Sequence, residues 1–296
     1  MIREEGQSSN PLMNSMISTL ILNGGKRIRP LILMTVFRGL DGAEEAVQQA
    51  YHAGASLELI HTATLIHDDL IDQSKLRRGA PTIYAQHGIP PAVLAGDYLF
   101  VVAYALASTL PKNLVQKIIT DLRHMAEGQL LEEMINPKTL TFTEYLNIIT
   151  SKTAMLFRSA CVSGAFLAGA SESMQQVLSD AGLMLGIAFQ LIDDMLDVMG
   201  NENITGKPIG ADFLADKMTL PYLLYEEHFG DLPQERTQET FQAIYADLTS
   251  ELVMLQAKRL AKEKTKNAQK GFSVLTNASI RTFILEICDK MLSRIL

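Results

Sequence analysis

Apolar residues in this chain recur at steps of three and four, and two of the clearest such runs end on aspartates. Leu57, Ile60, Ala63 and Thr64 lead through Leu65 and Ile66 into "HDDLID", while Leu183, Ile187 and Leu191 lead into "IDDMLD". Leu114, Ile118 and Ile119 follow the same spacing. That period belongs to helices buried along one face, whereas strands alternate every second residue. Breakers separate the runs at "NGGKRIRP", "RRGAP", "HGIPP", "LPKN", "NPKT", "GNENITGKPIG" and "HFGDLP". The pattern predicts roughly ten or more helices with short connections. No fixed-period repeat or long linker interrupts it, which gives one all-α domain over residues 1–296.

The aspartates then need an explanation. Asp68 and Asp72 are four apart, so on a helix they point the same way, with Asp69 offset to the side. Like charges at that spacing repel, by a few tenths of a kcal/mol on an exposed face and by more on an apolar one. Asp193, Asp194 and Asp197 repeat the arrangement. Two such clusters predict a bound cation. Oxygen ligands without Cys or His favour Mg²⁺, which takes one or two carboxylates and completes its shell with water and substrate phosphates. A metal-clamped diphosphate follows.

Composition sets limits on the alternatives. The net charge of −7 argues against a nucleic-acid footprint, so any anion site is local. Hydrophobic residues at 47% supply an ample core. Cys161 and Cys288 are too few for a disulfide framework or a Cys-based zinc site, which favours the cytoplasm. The apolar stretch from Tyr98 to Leu110 is shorter than a bilayer span, so no membrane crossing is expected.

Local cations are present. "ILNGGKRIRP" reads as a helix end at Gly24 and Gly25, a basic turn, and a new helix opening at Pro30, with Lys26 and Arg29 beside an anion-attracting N-terminus. Arg77, with Lys152 and Lys217, can share the charge of a metal-held diphosphate. Lys26, Arg29 and Arg78 can hold a second phosphorylated substrate. His61 lies seven residues before Asp68, two turns back on nearly the same face.

"GGKRIRP", "HTATLIHDDLID" with "LRRGAPT", "GDYL", "SKTAMLF", "FQLIDDMLD" and "GKPIGADFLADKMTLP" resemble, in order, the signatures of all-trans polyprenyl diphosphate synthases, from about Gly24 to Pro221. The resemblance implies an isoprenoid-synthase fold of helices around a central cavity, Mg²⁺, and usually a homodimer or a heterodimer with a small subunit. It implies an isopentenyl diphosphate site of Lys26, Arg29, His61 and Arg78. Asp68, Asp72, Arg77, Lys152, Thr153, Gln190, Lys207 and Lys217 resemble the allylic diphosphate site, and Asp193 and Asp197 the second set of metal ligands. The sequence departs from the family where Asp216 occupies the usual glycine position before Lys217.

The implied reaction is head-to-tail prenyl transfer, with Asp68, Asp72, Asp193, Lys152 and Lys217 as its catalytic groups. A growing tail needs an apolar channel. Ala63 and Thr64 lie roughly 6 to 7.5 Å below Asp68 along its helix. In the family it resembles an aromatic there closes the pocket early, so small Ala63 and Thr64 are similar to the longer-chain class and imply a product longer than geranylgeranyl diphosphate, in the hexaprenyl to octaprenyl range. A geranylgeranyl or farnesyl synthase, or a partner-dependent subunit that binds isoprenoid diphosphates, is the alternative. Two rivals come from other classes: a di-iron bundle using Glu58 and His61, which lacks a second Glu-x-x-His pair, and a phosphohydrolase using His67 and Asp68.

Overall fold

The structure is a computed structural model and describes residues 7–22, 25–77, 79–200 and 209–295. These residues are helical almost throughout, as the period required. They form two compact units. The first takes the described residues up to Thr120, with Ser159–Ser179 and Leu275–Arg281. The second takes Asp121–Arg158 and the described residues of Asp180–Val274 and of Thr282 onward.

The first unit is built on α1 (Pro11–Leu22), α2 (Ile28–Gly39), α3 (Val47–Ile71), α4 (Ile83–His87) and α5 (Ile89–Ala107). Every residue of α3 from Ala53 to Ile60 is buried, so this helix is enclosed on all sides rather than along one stripe. Its small residues Ala50, Ala53, Gly54, Ala55 and Ser56 admit α2 and α5 closely, and the Ser56 hydroxyl donates to the Ala103 carbonyl of α5 at 2.8 Å. A Cβ on Gly164 would lie 2.5 Å from the Leu33 oxygen, so only glycine fits where this part of α8 (Met155–Leu167) meets α2.

One helix start, the length of one apolar helix and a short ribbon differ from expectation. Helix α2 opens at Ile28, two residues before Pro30, because proline is tolerated anywhere in a first turn whose N–H groups lack helical partners. The apolar helix α5 begins at Ile89, so its 19 residues are long and apolar enough to cross a membrane by length and composition. Its buried face, Ala92, Ala95, Gly96, Leu99 and Ala103, packs on α3. The segment after α3 contains a two-residue antiparallel ribbon, with Leu76 opposite Pro81 and Arg77 opposite Ala80.

The second unit holds α7 (Phe142–Ile149), a π-helical turn (Thr150–Ala154), most of α9 (Glu172–Met199), α10 (Ala211–Leu214), α11 (Leu220–Phe229), α12 (Gln238–Leu248), α13 (Glu251–Phe272) and most of α14 (Ala278–Leu292), with residues of α6 (Lys112–Met134) from Asp121 onward. A Thr141–Glu144 capping box starts α7 by satisfying backbone N–H groups at both ends of the exchange. Leu191, Ile192, Met195 and Val198 of α9 share a core with Phe213, Tyr222, Phe241 and Val253.

Candidate functional site

Each acidic cluster sits at the C-terminal end of a long helix, the end that carries the negative half of the helix dipole. Neither α3 nor α9 has a basic residue in its last turn. An acidic side chain there costs about 0.3–1 kcal/mol instead of contributing it. Both helices therefore concentrate negative potential where a cation would relieve it.

Helix α3 stops in a Schellman turn. The Ser74 N–H donates to the Asp69 carbonyl at 2.8 Å and the Gln73 N–H to that of Leu70 at 3.2 Å, with Gln73 left-handed at φ 50°. Asp72 is thus the last, exposed residue of the cluster, and its N–H donates to the Asp68 carbonyl at 2.8 Å. Asp68 is half-buried and Asp69 buried. Arg77 Nε donates to both Asp69 oxygens at 2.8 Å, and its Nη2 lies 2.8 Å from Oδ1. The guanidinium expected to face substrate thus also neutralises the buried aspartate. Thr82 holds the ribbon in place, its hydroxyl donating to the Ser74 carbonyl at 2.7 Å and accepting from Ala85 N–H at 3.0 Å.

His67 turns toward α5, with Nε2 3.3 Å from the Val93 oxygen and 3.8 Å from Asp97. Its ring fills the space above Gly96, where a Cβ would come within 2.1 Å of it. That orientation removes the support for a His67–Asp68 dyad. Glu58, the carboxylate of the di-iron alternative, is buried and bound to Arg27 Nη1 at 2.7 Å.

In the basic turn, Lys26 is exposed and Arg29 buried. Burial pushes the Arg29 guanidinium down to about 10, with the Glu58 charge opposing that shift. Arg27 is left-handed at φ 47° directly before α2. Arg27 and Glu58 were absent from the sequence-based site; a charged residue inside the apolar run "LELIH" was the available signal. His61 and Thr64 are half-buried, and the Thr64 hydroxyl donates to the His61 carbonyl at 2.8 Å. Ala63 is fully buried. Arg78 and Lys207 lie outside the described residues.

In the second unit, the Thr153 hydroxyl donates to Gln190 Oε1 at 2.8 Å and Gln190 Nε2 donates to Asp194 Oδ1 at 2.8 Å. The Tyr145 hydroxyl donates to the other Asp194 oxygen. Burial, followed by the charge of Asp212, pushes Asp194 up to about 8, against the pull of its bonds to Tyr145 and Gln190. Asp193 is exposed and Asp197 half-buried. Asp197 Oδ2 accepts from the Asp212 N–H at 3.1 Å and from the Tyr222 hydroxyl at 3.4 Å. Lys152 is paired with Glu132. Lys217 is half-buried and follows Asp216, which is left-handed at φ 54° and bound to Arg236 Nε at 2.7 Å. The glycine missing from the family pattern is thus replaced by an aspartate in the conformation glycine favours, which Asp tolerates better than most residues.

Among the described residues no three His, Cys, Asp or Glu side chains gather to hold one ion. The carboxylates instead form two sets of hard oxygens, each with outward members. That suits Mg²⁺, which takes few protein ligands and fills its shell with water and phosphate oxygens.

A sequence profile described as polyprenyl synthetase matches residues 10–259, and the chain belongs to that family, whose members are trans-prenyltransferases. It is 39% identical over 210 residues to a geranylgeranyl diphosphate synthase of Sulfolobus acidocaldarius, covering 68% of this chain and 63% of that relative. It is 32% identical over 294 residues to an octaprenyl diphosphate synthase of Haemophilus influenzae, covering 95% and 88%. A crystal structure of a polyprenyl synthase from Caulobacter crescentus, complexed with calcium and isoprenyl diphosphate, superposes with a TM-score of 0.90 at 33% identity, covering all of this chain and 93% of that one.

Proposed function

We propose that this chain joins isopentenyl diphosphate head-to-tail to an allylic diphosphate, with Mg²⁺, to give an all-trans polyprenyl diphosphate longer than geranylgeranyl. The observation that carries this reading is the pair of long helices that each end on three carboxylates with no basic residue in the last turn. Asp68 and Asp72, and Asp193 and Asp197, would hold the metal. Bound there, Mg²⁺ supplies positive charge against the departing diphosphate. Lys152, Lys217, Lys207 and Arg77 share that charge, and Thr153 and Gln190 hydrogen-bond the same group. Lys26, Arg29, His61 and Arg78 hold isopentenyl diphosphate. The allylic C–O bond breaks, the isopentenyl double bond attacks the allylic carbon, and the released diphosphate takes the proton lost in re-forming a double bond.

Half-buried Thr64, one turn before Asp68, supports a tail passage beneath the head groups. A homodimer through α5 is supported by Leu94, Val101 and Tyr104, exposed apolar residues at helical spacing on its unburied side. The buried thiols Cys161 and Cys288 suit a reducing compartment such as the cytoplasm.

The test measures initial rates of Asp68→Ala and Asp193→Ala together with circular dichroism. Turnover should fall by about two orders of magnitude or more with the helical spectrum unchanged. Near-normal rates in either variant would sink the metal-clamp reading.

A further inference from the structure

Asp194 and Tyr145 have no part in the assignments above, yet the structure buries both beside residues that do. The π-helical turn Thr150–Ala154 carries Lys152 and Thr153, and such wide turns occur frequently at functional sites. Two glycines let it sit where it does. A Cβ on Gly128 would lie 2.5 Å from Ser151 Cβ and 2.8 Å from the Lys152 nitrogen. One on Gly186 of α9 would lie 2.5 Å from Ala154 Cα. Backbone this close excludes any larger residue at either place.

Side-chain bonds then orient the groups on the turn. Asp194 accepts from the Tyr145 hydroxyl at one oxygen and from Gln190 Nε2 at the other. With Gln190 Nε2 turned to Asp194 Oδ1, its Oε1 is left facing the Thr153 hydroxyl, so the bond at the buried end sets which side of the amide meets the turn. One of the two Gln190 amide hydrogens is used in this way, and the other is available to an anion.

We propose that Tyr145 and Asp194 are positioning residues for the allylic diphosphate, fixing the Gln190 amide and, through it, the Thr153 hydroxyl on a turn wedged between Gly128 and Gly186. The inference rests on the diphosphate-binding reading of Lys152, Thr153 and Gln190. A tyrosine that served packing alone would be replaceable by phenylalanine without effect on substrate binding.

The experiment compares wild type with Tyr145→Phe, which keeps the ring and removes only the hydroxyl. Steady-state kinetics and calorimetric binding of a non-reactive allylic thiolodiphosphate, with Mg²⁺, are measured on both. The KM for the allylic substrate and the dissociation constant of the analogue should each rise about tenfold, with the KM for isopentenyl diphosphate unchanged. Gly186→Ala, which pushes on the turn while leaving the bonded side chains intact, should give the same split. If Tyr145→Phe is insoluble, Asp194→Asn carries the test, since it keeps only one of the two oxygens that accept from Tyr145 and Gln190. A lowered melting temperature with both KM values unmoved, or equally raised, overturns the positioning role while leaving the enzyme reading in place. A wild type that neither turns over nor binds the analogue overturns both.

Discussion

Glu58 sits where a carboxylate is expensive to remove. Its side chain is 4% exposed and contacts Arg27 Nη1 at 2.7 Å, while the nearby Arg29 guanidinium is buried and sensitive to its charge. At that distance an effective dielectric of about 20 gives a gross attraction of about 6 kcal/mol, which the dehydration of both ions offsets in large part. Truncation removes a buried carboxylate from beside both cations, and losing one partner of a buried pair costs about 3–5 kcal/mol. Arg27 is 29% exposed and can turn toward water, so Glu58→Ala should fall at the low end, about 3 kcal/mol. Glu58→Gln keeps an acceptor for Arg27 and should lose about half as much. Urea unfolding followed by circular dichroism gives both values from midpoint and slope. The same loss of order in the basic turn should raise the KM for isopentenyl diphosphate more than that for the allylic substrate. An alanine variant within about 0.5 kcal/mol of wild type would refute the counter-ion argument, because that is the range of an uninvolved surface change.

The two anion sites should separate in kinetics: Arg29→Ala raises chiefly the KM for isopentenyl diphosphate, and Arg77→Ala acts on the allylic substrate and also destabilises the fold by taking its guanidinium away from buried Asp69. Equal effects on both substrates in both variants would reject the division. Gln73→Gly removes a left-handed side chain from the turn that ends α3 and should stabilise by about 0.5–1 kcal/mol in urea unfolding, a sign opposite to the usual glycine penalty. Phenylalanine at Thr64 should stop elongation at farnesyl or geranylgeranyl diphosphate by mass spectrometry with the first condensation retained. At fully buried Ala63 the same residue should add an overpacking cost of about 1–3 kcal/mol.

Local rules made the helices and the acidic clusters legible, since a helical period and four-residue spacing are properties of contiguous sequence. The start of α2 was misplaced because proline is tolerated in a first turn without having to open it. Partners distant in sequence were invisible. Arg27 and Glu58 are 31 residues apart and Tyr145 and Asp194 are 49 apart, and nothing in either segment specifies the other. The composition shows which residues carry charge, whereas only packing shows which of them the protein has already engaged.

Burial separates the members of each aspartate triad. In positions i, i+1 and i+4 of a helix the outer two lie about 40° apart around the axis, while the middle one is turned about 100° from the first. In both clusters the middle residue is buried, with Asp69 bonded to Arg77 and Asp194 to Tyr145 and Gln190, and the outer ones are half-buried or exposed. The same geometry on two unrelated stretches extends the proposal to a division of labour, in which the middle aspartate would fix the helix end to its surroundings and the outer pair would meet the ligand. Asp69→Asn should therefore cost about 3 kcal/mol in urea unfolding, through the half-neutralised Arg77, and Asp68→Asn clearly less, since it also removes a negative charge from the wrong end of a helix dipole. Turnover should rank the other way, with Asp68→Asn the slower enzyme at saturating Mg²⁺. If Asp68→Asn proves the less stable of the two and the faster, the middle residue is the ligand and the assignment of both triads is reversed.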